Sequence, residues 1–267
     1  MMDPVIKWSG SKRSQADFIS SLIPKDYDTY YEPFIGGGSI LYAANPNNGV
    51  CGDICSPLID LWKRIQRNPD ELSESYKNNW SRLQKEGYLV YYEIRDRFNN
   101  NPNPDDLLFL SRTCVNGLIR FNSEGKFNNS FHLTRKGIKP DTLDKIIHDW
   151  STRIQNVTFV EGDYRKTTSE VTKGDFVYLD PPYQNTKGRY YGTIDFDDFC
   201  DYLANLNSKG VRFILSYDGT RGDRSYIQQL PKSLYKRHML VPSGYSTFKK
   251  IQDKKDEVVH ESLYLNY

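Results

Sequence analysis

An α/β fold built on a parallel sheet is what this sequence predicts, and three observations predict it. Short apolar runs with strand character alternate with helix-length segments toward both ends of the chain. Two of those runs end in turns made of glycines or prolines, which bend or stiffen a backbone beside a ligand. Residues 62 to 155 then break the alternation with a mostly helical pattern, which reads as an insertion into the α/β unit.

The first strand is expected over Asp28–Phe34, running into Ile35-Gly36-Gly37-Gly38-Ser39. Val50-Cys51-Gly52-Asp53 reads as a second short buried strand, and Ser56–Asn68 as the helix after it. Within the insertion, helical pattern covers Leu72–Tyr92 and Asp105–Cys114. A polar, turn-rich stretch follows from Asn122 to Asn129. The strand pattern returns at Asn156–Val160, at Asp175–Leu179 and at Val211–Ser216, with a helix over Phe196–Lys209. The expected division is therefore an α/β domain from 1–61 and 156–267 around an inserted domain from 62–155. Hydrophobic residues make up 37% of the chain, enough for a sizeable core in such an arrangement.

The formal net charge is only +2, so a nucleic-acid surface has to be local. Two stretches are basic. Residues 112–139 hold Arg112, Arg120, Lys126, Arg135, Lys136 and Lys139 against Glu124 alone. Residues 221–255 carry nine Lys or Arg against Asp223 and Asp253. Such runs beside an otherwise balanced chain favour contact with a polyphosphate. No run of about 18 apolar residues exists, so no membrane span is expected, and the N-terminus lacks a signal-peptide core. Cys51, Cys55, Cys114 and Cys200 form no CxxC pair, and the His are scattered. No metal site is expected, and free thiols in a reducing cytosol are.

Gly36-Gly37-Gly38 follows a strand and opens a helix, where glycine permits tight turning and close backbone approach. Asp53 ends the next strand, the place where an acid holds ribose hydroxyls in sheets of this kind. Leu41 occupies the third glycine position of a dinucleotide fingerprint, which argues against a nicotinamide cofactor. The alternative is an ordinary turn, with Asp53 capping the helix that follows.

The strongest local signal is Asp180-Pro181-Pro182-Tyr183, which follows a hydrophobic strand directly. Two prolines stiffen a turn at the carboxyl end of a strand, where open α/β sheets bind ligands. The turn offers two fixed acceptors, the Asp180 carboxylate and the Pro181 carbonyl. An exocyclic amino group such as adenine's has two N–H donors that match them. Held this way, its nitrogen can point a lone pair at an electrophilic methyl, which is positional and electrostatic catalysis. Tyr183 can stack on the base, and a base in a duplex reaches such a turn only when flipped out.

With these motifs in order, the chain resembles the Dam-type adenine-N6 DNA methyltransferases over nearly its whole length. Lys7-Trp8-Ser9-Gly10-Ser11-Lys12 resembles the family's K-W-x-G-x-K opening. Glu32-Pro33-Phe34-Ile35-Gly36-Gly37-Gly38-Ser39 resembles E-P-F-x-G-x-G-S. Gly52-Asp53-Ile54, the insertion and Leu179-Asp180-Pro181-Pro182-Tyr183 follow. The resemblance implies a Rossmann-like sheet that binds S-adenosylmethionine, with a mostly helical target-recognition insertion. It implies a cofactor pocket lined by Trp8, Lys12, Phe34, Gly36, Gly38, Asp53, Asp163, Tyr164 and Asp180. Catalysis would rest on Asp180, Pro181, Pro182 and Tyr183.

Asn116-Gly117-Leu118-Ile119-Arg120-Phe121-Asn122 resembles the family's N-G-L-x-R-x-N segment. The resemblance implies that Asn116, Leu118, Arg120 and Asn122 meet DNA. Arg120 is the expected reader of guanine, because its planar fork matches the O6 and N7 acceptors. Arg135, Lys136 and Lys139 are expected on backbone phosphates. The segment departs from the family at Asn129-Ser130 and His132, and at Val115 where well-known members carry Tyr. GATC and a related site both stay open as the target. Other readings are a methyltransferase acting on RNA or cytosine, a non-enzymatic nucleic-acid-binding module, and a dehydrogenase. The expected setting is duplex DNA, a monomer, and a bacterial, archaeal or phage-infected cytoplasm, with a restriction endonuclease counterpart as an open option.

Overall fold

The computed structural model describes residues 3–122, 124–182, 194–221, 224–225, 230–245 and 258–267. Tyr183 and much of the basic stretch 221–255 lie outside the described residues.

Five parallel strands form the body of the sheet. They are β1 (Tyr30–Glu32), β2 (Gly49–Asp53), β3 (Val157–Glu161), β4 (Phe176–Leu179) and β5 (Arg212–Arg221). The two-residue β6 (Arg224–Ser225) pairs with β5. Two further strands, β7 (Arg237–Tyr245) and β8 (Val258–Leu265), complete the order β3-β2-β1-β4-β5-β8-β7. β8 runs antiparallel to both of its neighbours. All four residues of β4 and all three of β1 are buried, as a sheet covered on both faces requires.

The first strand is shorter than the run Asp28–Phe34 suggested. Pro33 has no N–H to give the ladder, so pairing stops at Glu32. The last parallel strand is longer than expected, because β5 continues to Arg221 against β8 after a register shift between Tyr217 and Gly219.

Helices cover both faces. They are α1 (Ala16–Leu22), α2 (Ser39–Ala44), α3 (Ser56–Arg67), α4 (Pro69–Glu86), α5 (Leu89–Asn100), α6 (Pro104–Thr113), α7 (Pro140–Arg153), α8 (Tyr164–Thr167) and α9 (Phe196–Ser208). Proline begins α4, α6 and α7, where its missing N–H costs nothing and its fixed φ suits a first turn. The helical run Leu72–Tyr92 is split in two. Gly87 ends α4 with φ +86°, and α5 starts beyond it. On one face, Phe199, Leu203 and Leu206 of α9 pack with Val177, Leu179, Phe213 and Leu215. On the other, a single core joins the sheet to α3 through α7. At its centre Trp62 stacks on Phe159 with ring centroids 6.0 Å apart and meets Trp150 at 4.8 Å. Among the described residues, no helix is long and apolar enough to cross a membrane. All four cysteines are free thiols.

Arg112 corrects the charge reading of residues 112–139. It is buried, its Nε donates to the Val5 carbonyl at 2.7 Å, and its guanidinium also donates to Pro4. It ties the N-terminal segment to α6 and takes no part in a basic surface. Burial pulls its pKa down to about 10.

The glycine turn between β1 and α2 fits closely under tryptophans. Gly36 and Gly38 have φ of +45° and +68°. A Cβ on Gly36 would lie 2.6 Å from Trp8 Cδ1, and one on Gly38 would lie 2.9 Å from Trp150 Cη2 and 3.0 Å from Trp62. The missing side chains thus make room for three indoles, besides allowing the turn. Gly38→Ala combines left-handed strain with overpacking and is expected to destabilise the fold by about 2–4 kcal/mol. Urea unfolding measures this, and a variant within about 0.5 kcal/mol of the parent would contradict the packing described.

Candidate active site

The strand order reverses between β1 and β4. Chain connections leave β1 toward β2 and β3 on one side, and β4 toward β5 on the other. A crevice opens at the carboxyl ends of strands at such a switch point. Both turns singled out in the sequence leave from there, the glycine turn after β1 and Asp180-Pro181-Pro182 after β4.

One pocket occupies this crevice. Trp8, Lys12, Phe34, Gly36 and Gly38 line it, with Asp53, Asp163, Tyr164 and Asp180. All nine residues expected around a cofactor are therefore together, and Pro181 and Pro182 join them. The residues expected on DNA do not line the pocket. Leu118 is 45% exposed, and Asn116, Arg120, Asn122, Arg135, Lys136 and Lys139 are also exposed.

Lys12 sits at the pocket's electrostatic centre. It is 5% exposed, with Nζ 2.8 Å from Asp180 Oδ1 and 3.6 Å from Glu261 Oε1. Burial pushes the Asp180 carboxyl up to about 6; Lys12 opposes that rise and Glu261 adds to it. Asp53 is also pushed up to about 6 by burial. Its Oδ1 accepts from the Cys55 N–H at 3.0 Å and its Oδ2 from the Gly36 N–H at 3.3 Å. Asp53 thereby ties the glycine turn to the end of β2 while facing the pocket. Asp163 caps α8 by accepting from the Lys166 N–H at 2.8 Å, so the capping and pocket readings of this residue both describe its position. Phe34 and Tyr164 put aromatic rings on the wall, with centroids 5.7 Å apart.

Several lining residues were not foreseen. Glu32 is 2% exposed and accepts from the Tyr30 hydroxyl at 2.7 Å. Burial raises its carboxyl to about 8, and the nearby Asp180 charge contributes. Its signal was present in the Glu-Pro-Phe motif. Ile119 and Phe121 also line the pocket, whereas their neighbours Leu118, Arg120 and Asn122 face outward. That alternation is the period of an extended chain, legible in the sequence but unused. Glu261 comes from β8, far from any motif.

The stretch around Arg120 is held by asparagine side chains, of which Asn129 belongs to the departure from the family pattern. Asn129 is buried, and its side-chain amide donates to the Val115 and Leu118 carbonyls at 2.9 and 2.8 Å. Asn122 Oδ1 accepts from the Glu124 and Lys126 N–H groups and closes the 122–126 turn. Arg120 Nε donates to Asn128 Oδ1 at 2.9 Å, which orients the guanidinium fork.

The donor set fits S-adenosylmethionine. Carboxylates from Asp53, Asp163, Asp180, Asp195, Asp198 and Glu261 line the pocket beside the Glu32 carboxyl, which burial raises to about 8, against Lys12 and Arg165 as cations. Such a surplus of negative charge suits a ligand carrying a sulfonium and an ammonium. The aromatic walls and the acid at the end of β2 suit its adenosyl half.

Comparison with known proteins agrees. The family model described as D12 class N6 adenine-specific DNA methyltransferase matches residues 8–247. The type II methyltransferase M1.LlaDCHI of Lactococcus lactis subsp. cremoris is 32% identical over 80% of each chain. The type II methyltransferase M.MjaIII of Methanocaldococcus jannaschii is 28% identical over 99% of each. The DNA adenine methylase of Salmonella typhi is 26% identical over 93% of this chain and 92% of its own. The pocket, its charge and this match lead to one conclusion: the chain belongs to the D12 class N6 adenine-specific DNA methyltransferase family, and it transfers methyl from S-adenosylmethionine to adenine in DNA.

Proposed function

We propose that Asp180, Pro181, Pro182 and Tyr183 hold the exocyclic amino group of an adenine flipped out of duplex DNA. The observation that carries this reading is the Lys12–Asp180 pair at the mouth of β4, which fixes the carboxylate beside the glycine turn. Asp180 and the Pro181 carbonyl accept the two N–H bonds, and the nitrogen lone pair is aimed at the donor methyl. Asp180 then takes up the proton that the amino nitrogen sheds. Tyr183, outside the described residues, supplies a ring for the base to stack on. When bound, S-adenosylmethionine supplies a methyl group made electrophilic by its sulfonium. Trp8, Phe34, Gly36, Gly38 and Tyr164 would form the wall along it, Asp53 would receive its ribose hydroxyls, and Asp163 would meet its adenine.

The 62–155 insertion is the target-recognition unit in this reading. Arg120 meets a guanine edge, Leu118 wedges beside the flipped base, and Asn116 and Asn122 touch base or backbone. Arg135, Lys136 and Lys139 neutralise phosphates, which orients the enzyme without reading sequence. The target is GATC or a related sequence, since Val115, Ser130 and His132 alter the segment that makes the choice. The type II names of two relatives favour a restriction endonuclease of matching specificity as counterpart. The enzyme acts as a monomer in a bacterial, archaeal or phage-infected cytoplasm.

Asp180→Ala is expected to abolish methyl transfer from labelled S-adenosylmethionine while DNA binding by gel shift survives; full activity would remove Asp180 from the mechanism. The carboxylate must be ionised to accept the amine. The value of kcat/KM for the free enzyme is therefore expected to rise with pH through about 6 and level off above it. A profile flat from well below 6 would contradict this. For Arg120→Ala, long-read sequencing of DNA from expressing cells should show relaxed preference at one guanine. The expected loss of discrimination there is about 1–3 kcal/mol. An unchanged methylated motif would mean that Arg120 touches only phosphate.

A further inference from the structure

We propose that Glu261 is a positioning residue of the methyl-transfer site, a second anionic anchor that holds Lys12 when Asp180 engages the target amine. The inference rests on the reading of Asp180 given above. Three distant segments converge here: Lys12 precedes α1, Asp180 follows β4, and Glu261 lies on β8. β5 separates β8 from β4 in the sheet. Glu261 faces Gly219 across the β5–β8 ladder, just past the register shift at Tyr217/Gly219. A glycine partner puts no side chain between Glu261 and the strand it must reach across, and a bulge is where a sheet re-aims its side chains.

The second observation is the other oxygen of the same carboxylate. Glu261 Oε2 is shut off from solvent and has no hydrogen-bond partner among the described residues. An unpaired buried acceptor is costly, so this oxygen is open to any donor that enters the site. A carboxylate kept here with spare acceptor capacity suits a site in which donors move. Lys12 has three N–H bonds and gives one toward the Gly10 carbonyl at 3.3 Å. When Asp180 turns its lone pairs to the amino group, the interaction with Glu261 keeps the ammonium in the pocket, so its charge continues to act on Asp180. Glu261 touches neither base nor methyl donor in this scheme; it acts through Lys12.

Among the described residues, the charged and titratable groups facing Asp180 are Lys12 from the N-terminal segment, Glu261 from β8, Tyr178 from β4 and Glu32 from β1. Removing the Glu261 charge takes a like charge from beside Asp180 and leaves the Lys12–Asp180 pair in place. Asp180 then ionises more easily. The test uses full-length Glu261→Gln and Glu261→Ala with duplex DNA and S-adenosylmethionine, measuring kcat and kcat/KM across the acid limb. Both variants are expected to shift that limb to lower pH. In Glu261→Ala, kcat should also fall about tenfold while the Kd for DNA stays unchanged. An acid limb that does not move in Glu261→Gln overturns the proposal, whatever happens to overall activity. That variant keeps the side-chain volume and carries the test alone if the alanine variant does not fold. Asp180→Ala, run alongside, separates the two ideas. An active Asp180→Ala enzyme sinks the catalytic reading, whereas an inactive one with an unmoved limb in Glu261→Gln sinks only the role of Glu261.

Discussion

A lysine ammonium taken out of water and set 2.8 Å from a carboxylate is the constraint around which this molecule is arranged. Desolvating both charges is expensive, and their attraction offsets it only when the geometry is held from several sides. Here the holding comes from the fold. Lys12 arrives on the N-terminal segment, which Arg112 binds to α6 through the Pro4 and Val5 carbonyls. Asp180 arrives on a turn that two prolines stiffen at the end of a fully buried strand. The backbone that carries each group is fixed before a ligand enters, which is the sense in which the site is organised in advance.

The same strand ends explain why the pocket is so acidic. Glu32, Asp53 and Asp180 each stand at or just past the carboxyl end of a parallel strand, and Asp163 lies two residues beyond another. The switch point gathers these ends into one crevice. Burial alone would neutralise the acids. Backbone N–H groups on Asp53 and the ammonium on Asp180 work against that, whereas Glu32 has the Tyr30 hydroxyl and the Leu41 backbone but no cation, and it rises furthest. The crevice therefore holds carboxyls with different proton affinities within one small volume.

Much of this was legible in the chain because it is local. The glycine turn, Asp53 and the Asp180-Pro181-Pro182 turn each announce themselves within a few residues, and the parallel strands between them follow from unbroken apolar runs. What stayed hidden depends on partners far away. β8 reads Val-Val-His-Glu-Ser-Leu-Tyr-Leu, and its polar residues mask a strand that pairing with β5 and β7 makes stable. Glu261 has meaning only once that strand lies two places from β4. The helical pattern over Leu72–Tyr92 carries one glycine, and the positive φ at Gly87 makes that residue the end of a helix. Asn129 looked like a loss of family pattern, yet its amide bridges the Val115 and Leu118 carbonyls. A single sequence displays neither of these bonds.

The alternation along residues 118–122 has a consequence for how such enzymes diversify. Ile119 and Phe121 belong to the pocket wall, while Leu118 and Arg120 look away from it. Because side chains on an extended segment project to opposite sides, the outward positions can be rewritten without touching the inward ones. If Leu118 and Arg120 meet DNA as proposed, substitutions at these alternate residues can change the target while the chemistry stays intact. The inward pair sets the boundary of that freedom: a one-residue insertion or deletion in this stretch would exchange the two faces, so change here is expected to come by substitution rather than by change of length.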